Sequence, residues 1–186
     1  MSGAQCKRGA PGRRAGGFSI GRVGLLGVLL LGLSCAVRPR PPLVSVPALE
    51  AAHVVPPKNR QRAVVCDPSR LEDLLCPLGP RLALLQIRRP EHWTLLRQAA
   101  PGLRGTPDFA HGSVVGLVSR LGLPVDGRWP LTLETVRVLD GAGFVVGHFQ
   151  GGNFLPDGSA YVEAAEIDGL TRVLMVEINA TRFYPD

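Results

Sequence analysis

The feature that most constrains the fold is a series of short apolar or alternating runs that fills the C-terminal part of the chain. Glycine, proline or an Asp-Gly pair separates each run from the next, and the runs lie at 113–119, 131–138, 144–149, 160–166 and 170–178. Runs of this length and composition predict β-strands. The Asp-Gly pairs at 140–141 and 168–169 predict tight hairpins. The parity of the apolar residues slips between Leu133 and Val136, which predicts a β-bulge.

A further strand and one helix precede this series. The run 82–87 is apolar and has the length of a strand. Pro90 suits the first position of a helix, which we expect to end near Ala100, before a Pro-Gly pair. Trp93 and Leu96 share one face of that helix, so we expect them to pack on the sheet. These elements predict an α+β fold, in which one helix packs on a mainly antiparallel sheet or half-barrel of about five to six strands.

Residues 1–34 have the pattern of a signal peptide. Residues 1–22 are basic and contain no acidic residue, and residues 23–33 form an unbroken apolar run. This run is too short to cross a bilayer as a helix, whereas it suits the core of a signal peptide. We therefore expect the protein to be exported to the cell envelope or periplasm.

The distribution of charge argues against a nucleic-acid-binding function. The chain has 21 basic and 15 acidic residues, which gives a formal charge of +6. Five of the basic residues and none of the acidic ones precede Cys35, so 16 basic and 15 acidic residues remain beyond it. This nearly neutral remainder lacks the basic surplus that binds a phosphate backbone. A hydrophobic content of 45% is enough for a packed core.

The segment 31–35, Leu-Gly-Leu-Ser-Cys, resembles the cleavage box of bacterial lipoproteins. The resemblance predicts lipidation of Cys35 and attachment to the membrane through that lipid anchor. Cleavage by an ordinary signal peptidase after Ser34 or Ala36, where small residues are suitably spaced, remains open.

The number of cysteines favours lipidation. Cys6 would be lost with the leader, and Cys66 and Cys76 form a plausible disulfide, which leaves Cys35 as the odd residue. In an oxidising compartment a disulfide across this short loop would contribute about 2–3 kcal/mol. A metal site is the weaker interpretation, because neither a CxxC pair nor matching histidines accompany these cysteines.

Residues 35–62 are rich in proline, which disfavours helices and the interior of sheets. We predict that this segment is a linker that holds the folded part away from the membrane. The remaining residues, 63–186, are then expected to form a single domain.

Three short motifs in that domain resemble those of a known family. They are Glu-His-Trp-Thr-Leu-Leu at 91–96, Thr-Pro-Asp-Phe at 106–109, and Pro-Val-Asp-Gly-Arg-Trp at 124–129. With these motifs the domain is similar to the PrcB family of protease-complex accessory subunits, although Arg128 and Trp129 stand where that family has glycine and tyrosine. The resemblance implies a small exported domain, often part of a lipoprotein, with a binding or accessory role and no catalytic residues.

The Gly-rich loops 121–129 and 150–159 are the candidate contact regions. Loops between strands often carry binding surfaces, and an exposed tryptophan is typical of a binding anchor. The candidate protein-binding residues are Trp129, Arg128, Asn153 and Phe154. The alternative interpretation of Trp129 is that it covers the end of the sheet.

The residues with chemical potential do not form an established active-site pattern. Asp108, His111 and Ser113 invite comparison with a catalytic triad, but they come from one short segment without a GxSxG motif. His111 and His148 are a candidate metal pair across the sheet, without the HExxH spacing. We predict no cofactor and no metal. The strand carboxylates expected to face solvent are Glu134, Glu163, Glu166 and Glu177.

The sequence therefore predicts a non-enzymatic exported binding or accessory module, anchored as a lipoprotein. Its expected partner is another envelope or secreted protein, and the family resemblance points to a protease. Two alternatives remain open. One is an exported hydrolase that uses His111 or His148, and the other is a purely structural envelope lipoprotein.

Overall fold

The computed structural model describes residues 46–124, 128–151, 154–155 and 160–185. The helical elements are α1 (Val46–Ala51), a 3₁₀-helix (Pro68–Leu74) and α2 (Pro90–Ala99). The strands are β1 (His53–Val55), β2 (Lys58–Val65), β3 (Leu75–Pro77), β4 (Leu82–Ile87), β5 (Gly112–Ser119), β6 (Leu123–Pro124), β7 (Leu131–Leu139), β8 (Ala142–Phe149), β9 (Phe154–Leu155), β10 (Ala160–Asp168), β11 (Arg172–Ile178) and β12 (Thr181–Phe183).

The strands form two five-stranded sheets and one short pair. The sheet that we call the outer sheet has the order β1-β7-β8-β11-β12, and the central sheet has the order β2-β10-β5-β4-β3. The remaining strands, β6 and β9, pair with each other. All these pairings are antiparallel except that of β8 with β11. The predicted α+β class and mainly antiparallel pairing are confirmed, whereas the prediction of a single sheet or half-barrel of five to six strands is wrong.

The central sheet lies between the outer sheet and helix α2, because it has an apolar core on each face. On one face Leu117 of β5 joins a buried cluster that contains Leu131 and Leu133 of β7. On the other face Trp93 and Leu96 of α2 belong to a second buried cluster, together with residues of β4, β5 and β10. The prediction that Trp93 and Leu96 pack on the sheet is confirmed.

The two predicted hairpins have different outcomes. Asp140 and Gly141 connect the paired strands β7 and β8, and both residues have positive φ, 49° and 77°, as a tight hairpin turn requires. The predicted bulge is also confirmed, since the register of β7 shifts between Leu133 and Thr135. The turn at 168–169 is not a hairpin, because β10 belongs to the central sheet and β11 to the outer sheet. A sheet-changing turn and a hairpin turn use the same residues, so the Asp-Gly pair alone could not distinguish them.

The predicted linker is wrong over residues 46–62, which belong to the folded unit. Strand β1 pairs with β7 of the outer sheet, and β2 pairs with β10 of the central sheet. Pro56 and Pro57 occupy the connection between β1 and β2, where they interrupt no strand. The rest of the predicted linker, the predicted signal peptide and Cys35 lie outside the described residues. Within the described part, no helix has the length and apolar character needed to span a bilayer.

The predicted Cys66–Cys76 disulfide is also wrong, because Cys76 is a free thiol. Cys66 directly follows β2 and Cys76 lies in β3, and these strands are the opposite edges of the central sheet. Neighbouring strands are about 4.8 Å apart, whereas a disulfide needs Cα atoms within about 7 Å of each other. Closeness in sequence did not bring the two cysteines together, since the chain between them crosses the sheet.

Candidate functional site

Strand β2 places a row of basic residues at the edge of the central sheet. Lys58, Arg60 and Arg62 are all exposed. The pairing of β2 with β10 sets Arg62 opposite Glu163. The sequence did not predict this row as part of a strand, because the neighbouring prolines indicated a linker. A basic residue at every second position is the signal that could have predicted an edge strand with one charged face.

Glu163 is the buried centre of this region. Its side chain is 0% exposed and contacts two guanidinium groups, at 2.5 Å from Nε of Arg62 and 3.7 Å from Nε of Arg60. It also accepts a hydrogen bond of 3.0 Å from the backbone N–H of Leu133, at the bulge in β7. The carboxylate therefore connects the central sheet to the outer sheet. The prediction that Glu163 faces solvent is wrong, because β10 is an inner strand with both faces covered.

Trp129 lies beside this ion pair and is partly exposed. Its ring meets that of the buried Tyr161 edge-on, with the ring centroids 5.1 Å apart and the planes at 82°. The guanidinium carbon of Arg62 lies 5.9 Å from the centroid of the same indole ring, which is cation–π distance. The indole is thus held from two sides. We call Arg62, Arg128, Trp129 and Tyr161 the Trp129 surface.

The indole N–H of Trp129 is buried and has no hydrogen-bond acceptor among the described residues. The hydroxyl of Ser119, which is 0% exposed at the end of β5, likewise has no hydrogen-bond partner in the described part of the chain. Ser119 pairs with Tyr161 across the sheet. Polar groups without partners are rare in a protein interior and are costly to stability. One of these two groups belongs to the Trp129 surface, and the other lies on the strand paired with Tyr161.

The remaining predicted contact residues have mixed outcomes. Arg128 is exposed and precedes Trp129 directly. Asn153 lies outside the described residues. Phe154 begins β9, and its pairing with Pro124 of β6 brings the two predicted contact loops next to each other.

The predicted triad does not assemble. Asp108 and His111 do meet at the surface, with 2.6 Å between Asp108 Oδ2 and His111 Nδ1. The hydroxyl of Ser113, however, is buried and donates a hydrogen bond of 3.0 Å to the carbonyl of Leu170. It is therefore not presented to a substrate or to the imidazole.

The contact between Asp108 and His111 shifts both pKa values. The hydrogen bond to His111, followed by that from the Ala110 N–H, holds the pKa of the Asp108 carboxyl below its ordinary value. The hydrogen bond and charge of Asp108 raise the pKa of His111. His148 lies in β8 of the outer sheet, whereas His111 directly precedes β5 of the central sheet. In the part of the chain that the structure describes, no three metal-ligating side chains gather into a possible metal site.

A groove of about 420 Å³ lies on the helix-facing side of β2, and Asn59, Arg104 and Glu166 contribute to its lining. Glu166 is only 6% exposed, so the prediction that it faces solvent is wrong. Its carboxylate accepts hydrogen bonds from the Asn59 side chain at 2.9 Å and from the Asp108 N–H at 3.0 Å. These bonds fix the start of β2 and the segment that precedes β5, so we interpret Glu166 as a structural residue.

Comparison with known proteins adds no assignment to this geometry: no protein-family model, no curated protein and no solved structure matches the chain.

Proposed function

We propose that the chain is a non-enzymatic exported module that binds another protein through the Trp129 surface. The partner is an envelope or secreted protein, and the resemblance to the PrcB family makes a protease the first candidate. In this proposal a lipid on Cys35 anchors the module to the membrane. The proposed location rests on the sequence pattern of residues 1–35.

The observation that supports the proposal is a partly exposed tryptophan that its neighbours hold in place. Tyr161 packs against the indole from below the surface, and Arg62 lies over its face. Tryptophan, tyrosine and arginine are the residues that most often dominate binding energy at protein interfaces. A side chain that is already fixed loses little conformational entropy on binding. The Trp129 surface thus combines the composition and the preorganisation of an interface centre.

The hydrolase alternative has less support. It needs a nucleophile near Asp108 and His111, and the nearest hydroxyl in sequence, that of Ser113, is buried and bonded to a backbone carbonyl. An exposed Asp-His pair without such a nucleophile is a common surface ion pair. Assays of the His111→Ala and His148→Ala variants on ester and peptide substrates distinguish the two functions, since a hydrolase would lose activity in one of them.

Capture of the partner tests the proposal. The wild-type protein and the Trp129→Ala variant would each be used to capture proteins from the envelope fraction of the native host. The control is Leu95→Ala, which removes an exposed apolar side chain, 41% exposed, from α2. We expect the wild type and the control to capture the same protein and Trp129→Ala to lose it. Equal capture by all three would overturn the proposed surface.

A further inference from the structure

We propose that strand β2 binds an extended acidic segment of the partner protein as an added strand at the edge of the central sheet. The inference rests on the proposed function and names how the partner binds and what chemistry it presents.

The first observation is an open sheet edge. Strand β2 has eight residues and pairs with β10 on one side. On its other side no described residue forms a backbone hydrogen bond with it. An edge of this kind presents N–H and C=O groups that an extended peptide can pair with, which is a recurring mode of peptide recognition. Most other edge strands of the described sheets, β1, β3 and β12, have three residues each.

The second observation is the charge along that edge. Arg60 and Arg62 keep 39% and 45% of their side-chain surface exposed and share one carboxylate, that of Glu163. Two guanidinium groups against this one carboxylate leave a surplus positive charge at Arg60 and Arg62, whereas Lys58 of the same strand is paired with Asp168. Arg104 adds a further exposed cation nearby, since its backbone exchanges two hydrogen bonds with the side chain of Gln61. Guanidinium groups bind carboxylates through strong charge-assisted hydrogen bonds, so this edge favours an acidic partner.

The same charges exclude a second copy of this chain as the occupant. A second copy of β2 would place Arg60 and Arg62 of both molecules against each other, and like charges across a strand pair are destabilising. The edge also carries a bulge, where Asn59 adopts a φ of 46° and the register of β10 shifts. Charge and bulge are known protections against pairing between identical edges, and the two arginines favour an acidic segment of another protein.

The third observation links this edge to the Trp129 surface. Arg62 belongs to both, because it lies on β2 and over the indole ring of Trp129. Alternate side chains of an added strand would face the same side as Arg62. In this binding mode the backbone supplies affinity and such side-chain contacts supply specificity. The partner is therefore expected to place an acidic residue at Arg60 or Arg62 and an apolar residue beside Trp129.

Short peptides test the inference directly. The probe is a peptide about as long as β2 in which glutamate alternates with valine, and its affinity is measured by fluorescence anisotropy. One comparison peptide has lysine in place of glutamate. The other has proline in place of valine, which keeps the charge but removes backbone donors. We expect each comparison peptide to bind at least about tenfold more weakly. Equal binding of the lysine peptide would overturn the acidic preference, and equal binding of the proline peptide would overturn strand addition.

Variants of the protein locate the binding site. Arg60→Gln is expected to weaken binding of the glutamate peptide at least about threefold, whereas Arg97→Gln, at an exposed position on α2, leaves it unchanged. Amide hydrogen exchange of β2 is expected to slow when the peptide is added, because the peptide would accept hydrogen bonds from the N–H groups on the outer side of the strand. Unchanged exchange in β2 would overturn the inference.

The outcomes separate this inference from the proposed function. If Trp129→Ala loses the partner while none of the peptides binds, the results support partner binding by the Trp129 surface and contradict strand addition at β2. If the glutamate peptide binds at β2 while Trp129→Ala still captures the partner, the results support strand addition and contradict partner binding by the Trp129 surface.

Discussion

At the residue scale, Glu163 is the carboxylate that links the two sheets through its contacts with β2 and β7. Its carboxylate is fully buried, contacts Arg62 and Arg60, and accepts the N–H of Leu133 from the other sheet. Removing one member of such a set leaves the others without compensation, which costs more than the intact interaction contributes. Because the two arginines are partly exposed, water reduces this cost.

We expect Glu163→Gln to lower the free energy of unfolding by about 1–3 kcal/mol, since the amide keeps the shape but loses the charge that Arg62 contacts. Urea denaturation measures the change. The matched control is Glu134→Gln, at an exposed position of β7, which is expected to have little effect. Equal stability of the two variants would contradict the assigned role of Glu163.

The contact between Asp108 and His111 gives a second prediction at this scale. In Asp108→Asn the pKa of His111 is expected to fall towards its ordinary value of 6.5, because the carboxylate that raises it is gone. A histidine whose pKa is raised by folding stabilises the protein below its unfolded pKa, and this contribution is lost as the pH rises through the folded pKa. Asp108, whose pKa is lowered, contributes above 3.8 and loses its contribution on acidification. The pair therefore stabilises most between about pH 4 and 6.5.

An NMR titration of His111 measures this shift. The control variant Asp140→Asn removes an exposed carboxylate from the β7–β8 turn and is expected to leave His111 unchanged. If His111 titrates at the same pH in the wild type and in Asp108→Asn, the two side chains do not pair in solution.

At the element scale, β2 shows that the folded unit begins before residue 63, the predicted start of the domain. The strand buries Ala63 and Val65 in the core beneath α2 and supplies both arginines that contact Glu163. Without it β10 would become an edge strand, and the buried carboxylate of Glu163 would lose its contacts with Arg60 and Arg62. The elements before residue 63 are therefore part of the domain and do not act as a spacer.

A truncation series tests this boundary. A chain that begins at residue 46 is expected to fold cooperatively, whereas one that begins at residue 63 is expected to lose its thermal unfolding transition, because β1 and the first five residues of β2 are missing. Circular dichroism during heating measures both. A cooperative transition in the shorter chain would restore the linker interpretation of residues 46–62.

At the scale of the whole molecule, local patterns predicted local structure well. The run 82–87 is β4 as expected, the helix begins at Pro90, and the parity slip in β7 marks a register shift. Which strands pair is not a local property. The Asp-Gly pair at 168–169 predicts a hairpin, yet the strands that it connects, β10 and β11, belong to different sheets. Strand β11 pairs in parallel with β8.

The candidate site was predicted only in part for the same reason. Trp129 and Arg128 could be identified from a Gly-rich loop and its tryptophan. Tyr161 and Glu163 could not, since a polar residue within an apolar run predicts a solvated face unless a partner from a distant strand is known. Arg62 lies in a segment that was predicted to be a linker because of its prolines, whereas its last part forms an edge strand. The site exists only where three separate parts of the chain meet.

The most direct test of the account is the affinity of the captured partner for the wild type, Trp129→Ala and Leu95→Ala, measured together with their melting temperatures. We expect the dissociation constant to rise at least about tenfold for Trp129→Ala alone, because the variant loses the proposed binding anchor. We expect its melting temperature to stay close to that of the wild type, because the indole lies outside the main core. Unchanged affinity would contradict the proposed surface. A loss of affinity that accompanies a large fall in melting temperature would show that Trp129 is a structural residue that covers the end of the sheet.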